Sequence, residues 1–471
     1  MPRAKKPPTS RKHDGNKSDA KTQQVSQAEP DPLAQKLVLG RRMAAPKVGF
    51  QPGFQVGGQP SPPEPEPTEE LITYSGDAHL CTVAPTRSGK GVGVVIPNLL
   101  TYTGPVVVFD PKGENYRVTA RRRREMGQRV IKLDPFGVIE SASDGLNPLD
   151  LFDLSGVDCD SEAQALAQLL SRGITGRKEP FWDISGTAFS SGLIALGATQ
   201  GDPHHRNLNY VLNKLTSDDV VHNLAVILDT IGKRISPLAY REIAAVLQMP
   251  DITRGGVIAT TQTYYKPLAT SRVASCLEKS TFALQDVIDG EPLSIYLILP
   301  PNRLHSHAGL LKLWIGTLLT AIFTRKSEPP LRTLFILDEA AQLEAFPLLE
   351  TLLTLSAGYG VWVHTFWQDL SQLRSCFPET WKTILNNCAA IQTFGFYNRD
   401  IATQWGDYMD HGVHQLRSFK PDEQILSIHG QPELRCRRLN YLTDEQFAGQ
   451  FDSNQMYTRT TAKRKTIAKE R

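Results

Sequence analysis

Seven short apolar runs constrain the fold of this chain more than any other feature. They are rich in β-branched and aromatic residues and carry few polar positions, as is typical of strands that are buried on both faces. In chain order the runs are HLCTVA, GPVVVFD, RVIKLD, SIYLILP, RTLFILDE, VWVHTFWQ and CAAIQTFGF. Helix-like segments separate several of them. The pattern predicts an α/β fold with a mostly parallel sheet covered by helices.

A change of periodicity divides this pattern in two. Between residues 151 and 275, apolar residues recur at helical spacing and strand-like runs are absent, which predicts an inserted all-α domain. The α/β pattern occupies residues 71–150 before the insertion and residues 276–455 after it. We therefore expect one α/β domain that is built from two separate stretches of chain.

The two ends of the chain differ in composition from the rest. Residues 1–70 are rich in proline, glutamine, serine and charge and begin with a basic stretch, and residues 456–471 form a basic tail. Such segments bury too little apolar surface to offset their ordering entropy, so we expect a disordered arm at the N-terminus. The basic residues fit both simple solvation and electrostatic contact with nucleic acid or anionic lipid.

Several features predict a soluble protein of a reducing compartment. The six cysteines lie far apart without the spacing of a zinc site, and no signal peptide is visible. The most apolar helical stretch, residues 308–323, is about 16 residues long, short of the roughly 20 that a membrane span requires. It also contains Lys312. We therefore expect a cytoplasmic protein with no transmembrane segment of its own.

The stretch VAPTRSGKGVGVVIPNLL has the features of a phosphate-binding loop. Such a loop joins a strand to a helix, brings backbone N–H groups onto a phosphate and uses a lysine to reach the outer phosphates. The predicted nucleotide-binding residues are Ala84, Pro85, Thr86, Arg87, Ser88, Gly89, Lys90 and Gly91. Ala84 replaces the usual glycine, and Gly91 replaces the hydroxyl residue that ordinarily holds Mg²⁺. By itself the stretch also fits a Gly-Lys pair in an ordinary turn.

Polar residues at the ends of two later runs complete a candidate nucleotide site. Asp338 and Glu339 follow RTLFIL, where one carboxylate can hold Mg²⁺ and its neighbour can activate the attacking water. Gln368 ends the next run, where an amide can sense the terminal phosphate. The alternatives are an acidic helix N-terminus and a polar strand end. Together with Lys90, these residues predict a nucleotide site that uses Mg²⁺.

Taken in order, these motifs resemble those of the TraG-like coupling ATPases of conjugation and type IV secretion. The resemblance rests on APTRSGKGVGVVIPNLL, VVVFDPKGENY, FILDEAAQL and GYGVWVHTFWQDLSQL, and it extends to DGLNPLD and PFWDISGTAFSSGLIAL. It covers residues 71 to about 455. The Gly-Lys-Gly form of the loop looks usual in this branch of the family, so Gly91 does not by itself indicate an inactive site.

The resemblance implies a RecA-like P-loop core with an inserted all-α domain, assembled as a homo-hexamer that hydrolyses ATP. It implies that the ring moves single-stranded DNA bound to a relaxase, or a protein substrate, towards the components of a type IV secretion channel. The roles that it implies are phosphate binding for Lys90, Mg²⁺ organisation for Asp338, activation of water for Glu339 and sensing for Gln368.

Three departures or uncertain positions accompany the resemblance. Asp110 and Lys112, in DPKGE, are expected beside the site, where Asp110 either contacts the nucleotide or is a structural carboxylate at a strand end. Some relatives carry a trans-acting arginine shortly before the sensor strand, where this chain has Ala357; Arg374 and Arg399 are the other candidates. Family members usually begin with transmembrane helices, whereas here we expect attachment to the cytoplasmic face of the inner membrane through partners.

Two other functions fit parts of the pattern. An FtsK/HerA-like duplex DNA translocase would share the core, but its distinguishing feature, a C-terminal winged helix, gives no signal after residue 410. A nucleotide-binding docking adaptor with little turnover would account for Ala84, Gly91 and the missing arginine.

A run of four arginines at residues 121–124 invites a separate DNA-binding interpretation. The run lies at the end of a predicted helix, where cations favour the helix dipole and remain solvated. We prefer this structural interpretation and keep a DNA-binding patch as the alternative.

Overall fold

The computed structural model of the protein describes residues 35–43, 70–140, 142–171, 180–199, 202–343, 347–409 and 411–454. Most of the expected N-terminal arm and the whole basic tail at residues 456–471 therefore lie outside the described residues. The account of the fold below concerns the described residues.

Eleven strands in this part of the chain form one sheet. They are β1 Leu37–Arg41, β2 Leu71–Tyr74, β3 His79–Val83, β4 Val106–Phe109, β5 Arg129–Leu133, β6 Leu293–Leu297, β7 Thr333–Leu337, β8 Val361–Trp367, β9 Cys388–Thr393, β10 Glu423–Ile428 and β11 Leu434–Arg437. Their order across the sheet is β2-β1-β11-β10-β9-β3-β8-β7-β4-β6-β5. The strands from β9 to β5 are parallel, and β10, β11, β1 and β2 extend them with antiparallel pairs. The predicted α/β fold with a mostly parallel sheet is confirmed.

Sixteen α-helices within the described residues accompany the sheet. They are α1 Ile96–Thr101, α2 Glu114–Glu125, α3 Cys159–Leu170, α4 Pro180–Thr199, α5 Leu208–Leu215, α6 Val220–Ile231, α7 Pro237–Leu247, α8 Asp251–Tyr265, α9 Ser271–Glu278, α10 Leu284–Asp289, α11 Pro301–Phe323, α12 Pro347–Leu355, α13 Leu370–Cys376, α14 Trp381–Asn386, α15 Arg399–Met409 and α16 Val413–Arg417. From α3 to α9 helices follow one another without an intervening strand in the described residues, and α4 packs against α3, α7 and α8.

Alternate residues of the central strands pack into two different cores. Val107 and Phe109 of β4 belong to the cluster that includes residues of α4 and α11, whereas Val106 and Val108 belong to the cluster that includes Leu99 of α1. Both faces of the parallel sheet are therefore covered, which explains the continuous apolar runs in the sequence. Polar side chains are left to the ends of the strands, and the candidate site lies there.

Strand β1 corrects the expectation that residues 1–70 form a disordered arm. Leu37, Val38 and Leu39 are buried, and β1 lies between β2 and β11. The side chain of Asn98 in α1 accepts a hydrogen bond from the Val38 nitrogen at 2.8 Å and donates one to the Val38 oxygen at 3.0 Å. The strand escaped prediction because it is five residues long, stands in polar surroundings and pairs with a strand near the other end of the chain.

Helix α11 is, among the described residues, the one helix that is long and apolar enough to cross a membrane. It is longer than the apolar stretch recognised in the sequence, and 67% of its most apolar window is buried within the fold. Trp314 and Leu318 are fully buried, and the helix packs against α3 and α10. Contacts within the core thus account for its apolar character.

The structure corrects the solvated interpretation of the arginine run for Arg123 alone, since Arg121 and Arg122 are partly exposed and Arg124 is exposed. The guanidinium of Arg123 is fully buried and donates hydrogen bonds to the backbone oxygens of Tyr102 and Gly104 and to the Ser294 hydroxyl. Arg121 pairs with Asp452 at 2.8 Å. Arg123 is therefore a structural residue that satisfies backbone carbonyl groups between α1 and β4, and it offers no charge to DNA.

Buried His364 in β8 gives stability a predictable dependence on pH. Its Nε2 lies 2.8 Å from the Thr82 hydroxyl of β3, and burial lowers the pKa of His364 to about 3. In the unfolded chain histidine titrates near pH 6.5, so the unfolded state binds more protons between these values and stability falls as pH falls. Between about pH 7 and pH 5 we expect the free energy of unfolding to fall by about 2 kcal/mol more in the wild type than in His364→Gln, which has no histidine at this position. Urea unfolding at both pH values measures this, and an equal loss in both proteins would contradict it.

Candidate functional site

The register of the parallel strands brings the predicted site residues to one edge of the sheet. Val83 at the end of β3 pairs with Trp367 at the end of β8, and Leu337 at the end of β7 pairs with Phe109 of β4. The segments after β3, β4, β7 and β8 therefore leave the sheet side by side. These segments hold every residue predicted to bind or hydrolyse the nucleotide.

The loop after β3 folds back on itself through local hydrogen bonds. The Ala84 nitrogen donates to the Trp367 oxygen at 3.0 Å, and the Ser88 hydroxyl and nitrogen both donate to the Pro85 oxygen. Arg87 and Gly89 have φ values of 63° and 96°, in the left-handed region that lets successive N–H groups turn towards one side. Ala84 is not among the described residues with positive φ, so the methyl group that replaces the usual glycine hydrogen causes no backbone strain.

The amino group of Lys90 is bound to the backbone at the start of the loop. Lys90 is only 8% exposed, and its Nζ donates to the Ala84 oxygen at 2.5 Å. Burial lowers the pKa of Lys90, while the negative charges of Glu339 and Asp338 oppose that effect. The chain continues through a π-helical turn, Gly91–Val95, into α1. A charged lysine that is poised between a backbone carbonyl and two carboxylates can move onto an incoming phosphate.

Asp338 is the carboxylate that the sequence predicts as the Mg²⁺ ligand. The side chain is partly buried, and burial together with the neighbouring Glu339 raises the pKa of Asp338 to about 6. Lys90 and Lys112 oppose this rise. A divalent cation would relieve the repulsion between the two carboxylates. Mg²⁺ at nucleotide sites is usually held by one or two carboxylates together with water and phosphates, so Asp338 stays the predicted protein ligand.

Glu339 and Gln368 contact each other across the ends of β7 and β8. The Gln368 amide donates to the Glu339 carboxylate at 3.1 Å, and the Gln368 backbone nitrogen donates to the Gln372 side chain at 2.8 Å. Glu339 has a φ of 68°, which is unfavourable for a residue with a side chain. Backbone strain of this kind persists where the surrounding structure fixes it, often at functional sites.

Asp110 lies at the end of β4 and binds the first turn of α2. Its carboxylate accepts a hydrogen bond from the Tyr116 nitrogen at 2.9 Å. Burial raises the pKa of Asp110 to about 7, and the nearby Asp338 adds to the rise. This geometry favours the structural role at the strand end over direct contact with the nucleotide. Lys112 is exposed beside the site, where its charge acts on Lys90 and Asp338.

Arg438 contacts the phosphate loop from outside and was not predicted from the sequence. Its Nη1 donates to the Ser88 oxygen at 2.6 Å, and its guanidinium lies 4.3 Å from the centre of the Phe394 ring. A Cβ atom at Gly89 would lie 3.0 Å from that Nη1. Burial lowers the pKa of Arg438. Arg438 therefore fixes the backbone of the loop, and no motif in the sequence around it signals this role.

The structure gives the positions of the candidates for a trans-acting arginine. Whether one of them acts on a neighbouring subunit depends on a second chain. Ala357 lies in the turn before β8, at the opposite end of that strand from Gln368. Arg374 lies in α13, with its guanidinium 4.4 Å from the centre of the Trp381 ring, and Arg399 begins α15. Their reach to a neighbouring subunit stays a prediction.

Gly91, the second departure from the usual loop, leaves room for a side chain. A Cβ atom there would meet no atom within 4 Å. We expect Gly91→Ser to supply an oxygen near the nucleotide-bound Mg²⁺ and to lower the Mg²⁺ concentration for half-maximal ATP binding about fivefold, as one contact of roughly 1 kcal/mol would. Gly91→Ala adds the Cβ without the hydroxyl and serves as the control. Identical Mg²⁺ titrations for the two variants would contradict the expectation.

Comparisons with known proteins agree with this geometry. A family model described as Type IV secretory system Conjugative DNA transfer matches residues 41–405. The chain is 24% identical over 478 residues to the type IV secretion system-coupling protein VirD4 of Bartonella quintana (strain Toulouse). This match covers 90% of this chain and 72% of that protein. It is 28% identical over 320 residues to the conjugal transfer protein TraG of Escherichia coli, covering 64% of this chain and 50% of that relative.

The solved structures include a similar fold. The plasmid coupling protein TrwB in complex with ADP and Mg²⁺ has a TM-score of 0.59 and 14% sequence identity, and the match covers 77% of this chain and 85% of that chain. TrwB has also been solved with a non-hydrolysable ATP analogue, with a TM-score of 0.60. At this level of identity the similarity concerns the fold, and it confirms the predicted RecA-like P-loop core.

Proposed function

Since the chain belongs to the type IV secretory system conjugative DNA transfer family, we propose that it is an ATP-hydrolysing coupling protein. In this proposal the protein recruits single-stranded DNA bound to a relaxase, or a protein substrate, and drives it towards a type IV secretion channel. It acts as a homo-hexamer at the cytoplasmic face of the inner membrane, where channel components hold it.

The observation that carries the proposal is the placement of four side chains at one sheet edge. Lys90 follows β3, Asp338 and Glu339 follow β7, and Gln368 follows β8. Glu339 contacts Gln368 directly, and both carboxylates act on the charge of Lys90. A cation, two carboxylates and an amide around a loop of backbone N–H groups are the parts that phosphoryl transfer to water requires.

The proposed reaction is attack of water on the γ-phosphate of ATP. The loop nitrogens hold the phosphates, and Lys90 moves from the Ala84 oxygen to the outer phosphate oxygens. Mg²⁺ supplies positive charge that offsets the charge of the phosphates, with Asp338 as its protein ligand. Glu339 takes a proton from the water, and Gln368 orients that water through the amide that now binds Glu339. The new P–O bond forms as the bond to the bridging oxygen breaks, which yields ADP and phosphate.

The proposal is tested by measuring ATP turnover by the purified full chain with and without single-stranded DNA. Turnover that single-stranded DNA increases supports the motor. Binding of ATP through Lys90 with background turnover under both conditions would overturn the motor for the isolated chain and favour a docking adaptor. Stimulation by duplex DNA in preference to single strands would favour a duplex translocase instead.

A further inference from the structure

A pocket adjoins the phosphate loop on the side away from the carboxylates. Its lining residues are Gly395, Phe396, Tyr397, Arg417, Phe419 and Lys420. They come from the segment that follows β9 and from the end of α16 and the segment after it. The cavity measures about 220 Å³, many times the roughly 10–15 Å³ that a single water molecule needs on the same measure. None of these residues belongs to the hydrolytic group described above.

The pocket is in direct contact with the loop. A Cβ atom at Gly395 would lie 3.0 Å from Cδ of Pro85 and 3.1 Å from Cβ of Ser88. Gly395 has a φ of 80°, so both its conformation and this close approach require glycine. Arg438 bridges the same two segments, because it donates to the oxygens of Ser88 and Pro421. The pocket wall and the loop are thereby held in a fixed relation.

The strand order sets the direction in which a bound triphosphate runs. Strand β3, which carries the loop, lies between β8 and β9. Glu339 and Gln368 lie on the β7–β8 side, so the γ-phosphate faces that side. The other end of the nucleotide is therefore directed towards β9, where the pocket opens.

The lining of the pocket suits an aromatic ligand that carries negative charge. Tyr397 is 58% exposed, so its ring is accessible to a ligand in the pocket. Phe396 and Phe419 form an edge-to-face pair with ring centres 5.4 Å apart. Arg417 and Lys420 are exposed at the same pocket and add positive charge. Flat rings bind nucleobases by stacking, and nearby cations favour the ribose-phosphate side of a nucleotide.

We propose that this pocket binds the nucleoside of ATP, with Tyr397 stacking on the base and Arg417 and Lys420 facing the ribose and α-phosphate. The inference rests on the proposed function, since it places the other half of the same nucleotide. It assigns ATP affinity to two separable regions. One is the loop with Lys90, which recognises the phosphates, and the other is the aromatic pocket, which recognises the base.

The test compares ATP with inorganic tripolyphosphate, which has the phosphates and no base, by titration calorimetry on the full chain. Tyr397→Ala is expected to weaken ATP binding about tenfold, as loss of one stacked base would, and to leave tripolyphosphate binding unchanged. Tyr397→Phe keeps the ring and should bind ATP as the wild type does. Tyr240→Ala, which removes another half-exposed tyrosine (49%) in α7, is the matched control.

The outcomes separate this inference from the proposed function. Unchanged ATP affinity in Tyr397→Ala overturns the pocket assignment and leaves the phosphate site standing. Equal weakening of ATP and tripolyphosphate also overturns it, because the substitution would then act through the loop. If Lys90→Ala leaves the binding of both ligands unchanged, the proposed function fails, and the inference fails with it.

Discussion

Replacing Lys90 with alanine is expected to weaken ATP binding about 100- to 1000-fold, since two or more charge-assisted hydrogen bonds to phosphate are lost. The side chain is buried at the base of the loop, where its amino group donates to the Ala84 oxygen. Exposed Lys112 acts on the site only from its rim. Titration calorimetry with ATP and Mg²⁺ measures the loss, and turnover should fall to background.

A control variant must show that the effect is specific to Lys90 and does not follow from the loss of a lysine elsewhere. Lys214→Ala removes a lysine that lies over the Tyr210 ring in the helical region, 5.1 Å from the ring centre, and should bind ATP normally. Circular dichroism establishes that both variants are folded. Wild-type affinity in Lys90→Ala would show that the loop does not bind phosphate through this residue.

Replacing Glu339 with glutamine is expected to separate binding from hydrolysis. Turnover should fall about 100- to 10,000-fold, the usual contribution of a general base, while ATP affinity changes little. The glutamine oxygen can still accept the hydrogen bond from Gln368, so the geometry of the site is retained. The unfavourable backbone conformation, with φ at 68°, also remains the same in both proteins.

Single-turnover hydrolysis and equilibrium binding, measured side by side, give the two quantities for Glu339→Gln. Glu379→Gln, at an exposed acid after α13, is the matched control and should leave both unchanged. A variant that still hydrolyses ATP at the wild-type rate would remove Glu339 from the role of base, and Asp338 would become the candidate.

The sequence predicted the parallel part of the sheet, β3 to β9 in chain order, because its strands are buried on both faces. A run such as VVVF in β4 has no polar position and can hardly be anything but an internal strand or a core helix. The four antiparallel strands escaped prediction for the opposite reason. β11 reads LRCR and β10 begins with Glu423 and Gln424, so their pattern is mixed, and their pairing depends on partners far away in the chain.

The candidate site also contains some residues that could be predicted from the sequence and others that could not. Lys90, Asp338, Glu339 and Gln368 could be predicted because each follows a recognisable strand, and the ends of parallel strands meet at one edge. The role of Asp110 could not be settled, since it depends on a hydrogen bond to Tyr116 that is visible only in three dimensions. Arg438 and Tyr397 lie in segments without any motif. Arg438 contacts the loop, and Tyr397 lines the adjoining pocket, because β9, β10 and β11 fold beside β3.

The position of β1 has a consequence for the order in which the molecule can be built. Its residue Leu39 accepts a hydrogen bond from Gln424, a residue 385 positions later in the chain. At roughly 5–20 residues per second, synthesis takes about 20 to 80 seconds to cover that distance. During this time β1 can pair with β2 but lacks β11, its neighbour on the other side, and the loop after β3 lacks Arg438. The loop can therefore take its final form, with Arg438 bound to the Ser88 oxygen, only after residues 434–438 have been synthesised.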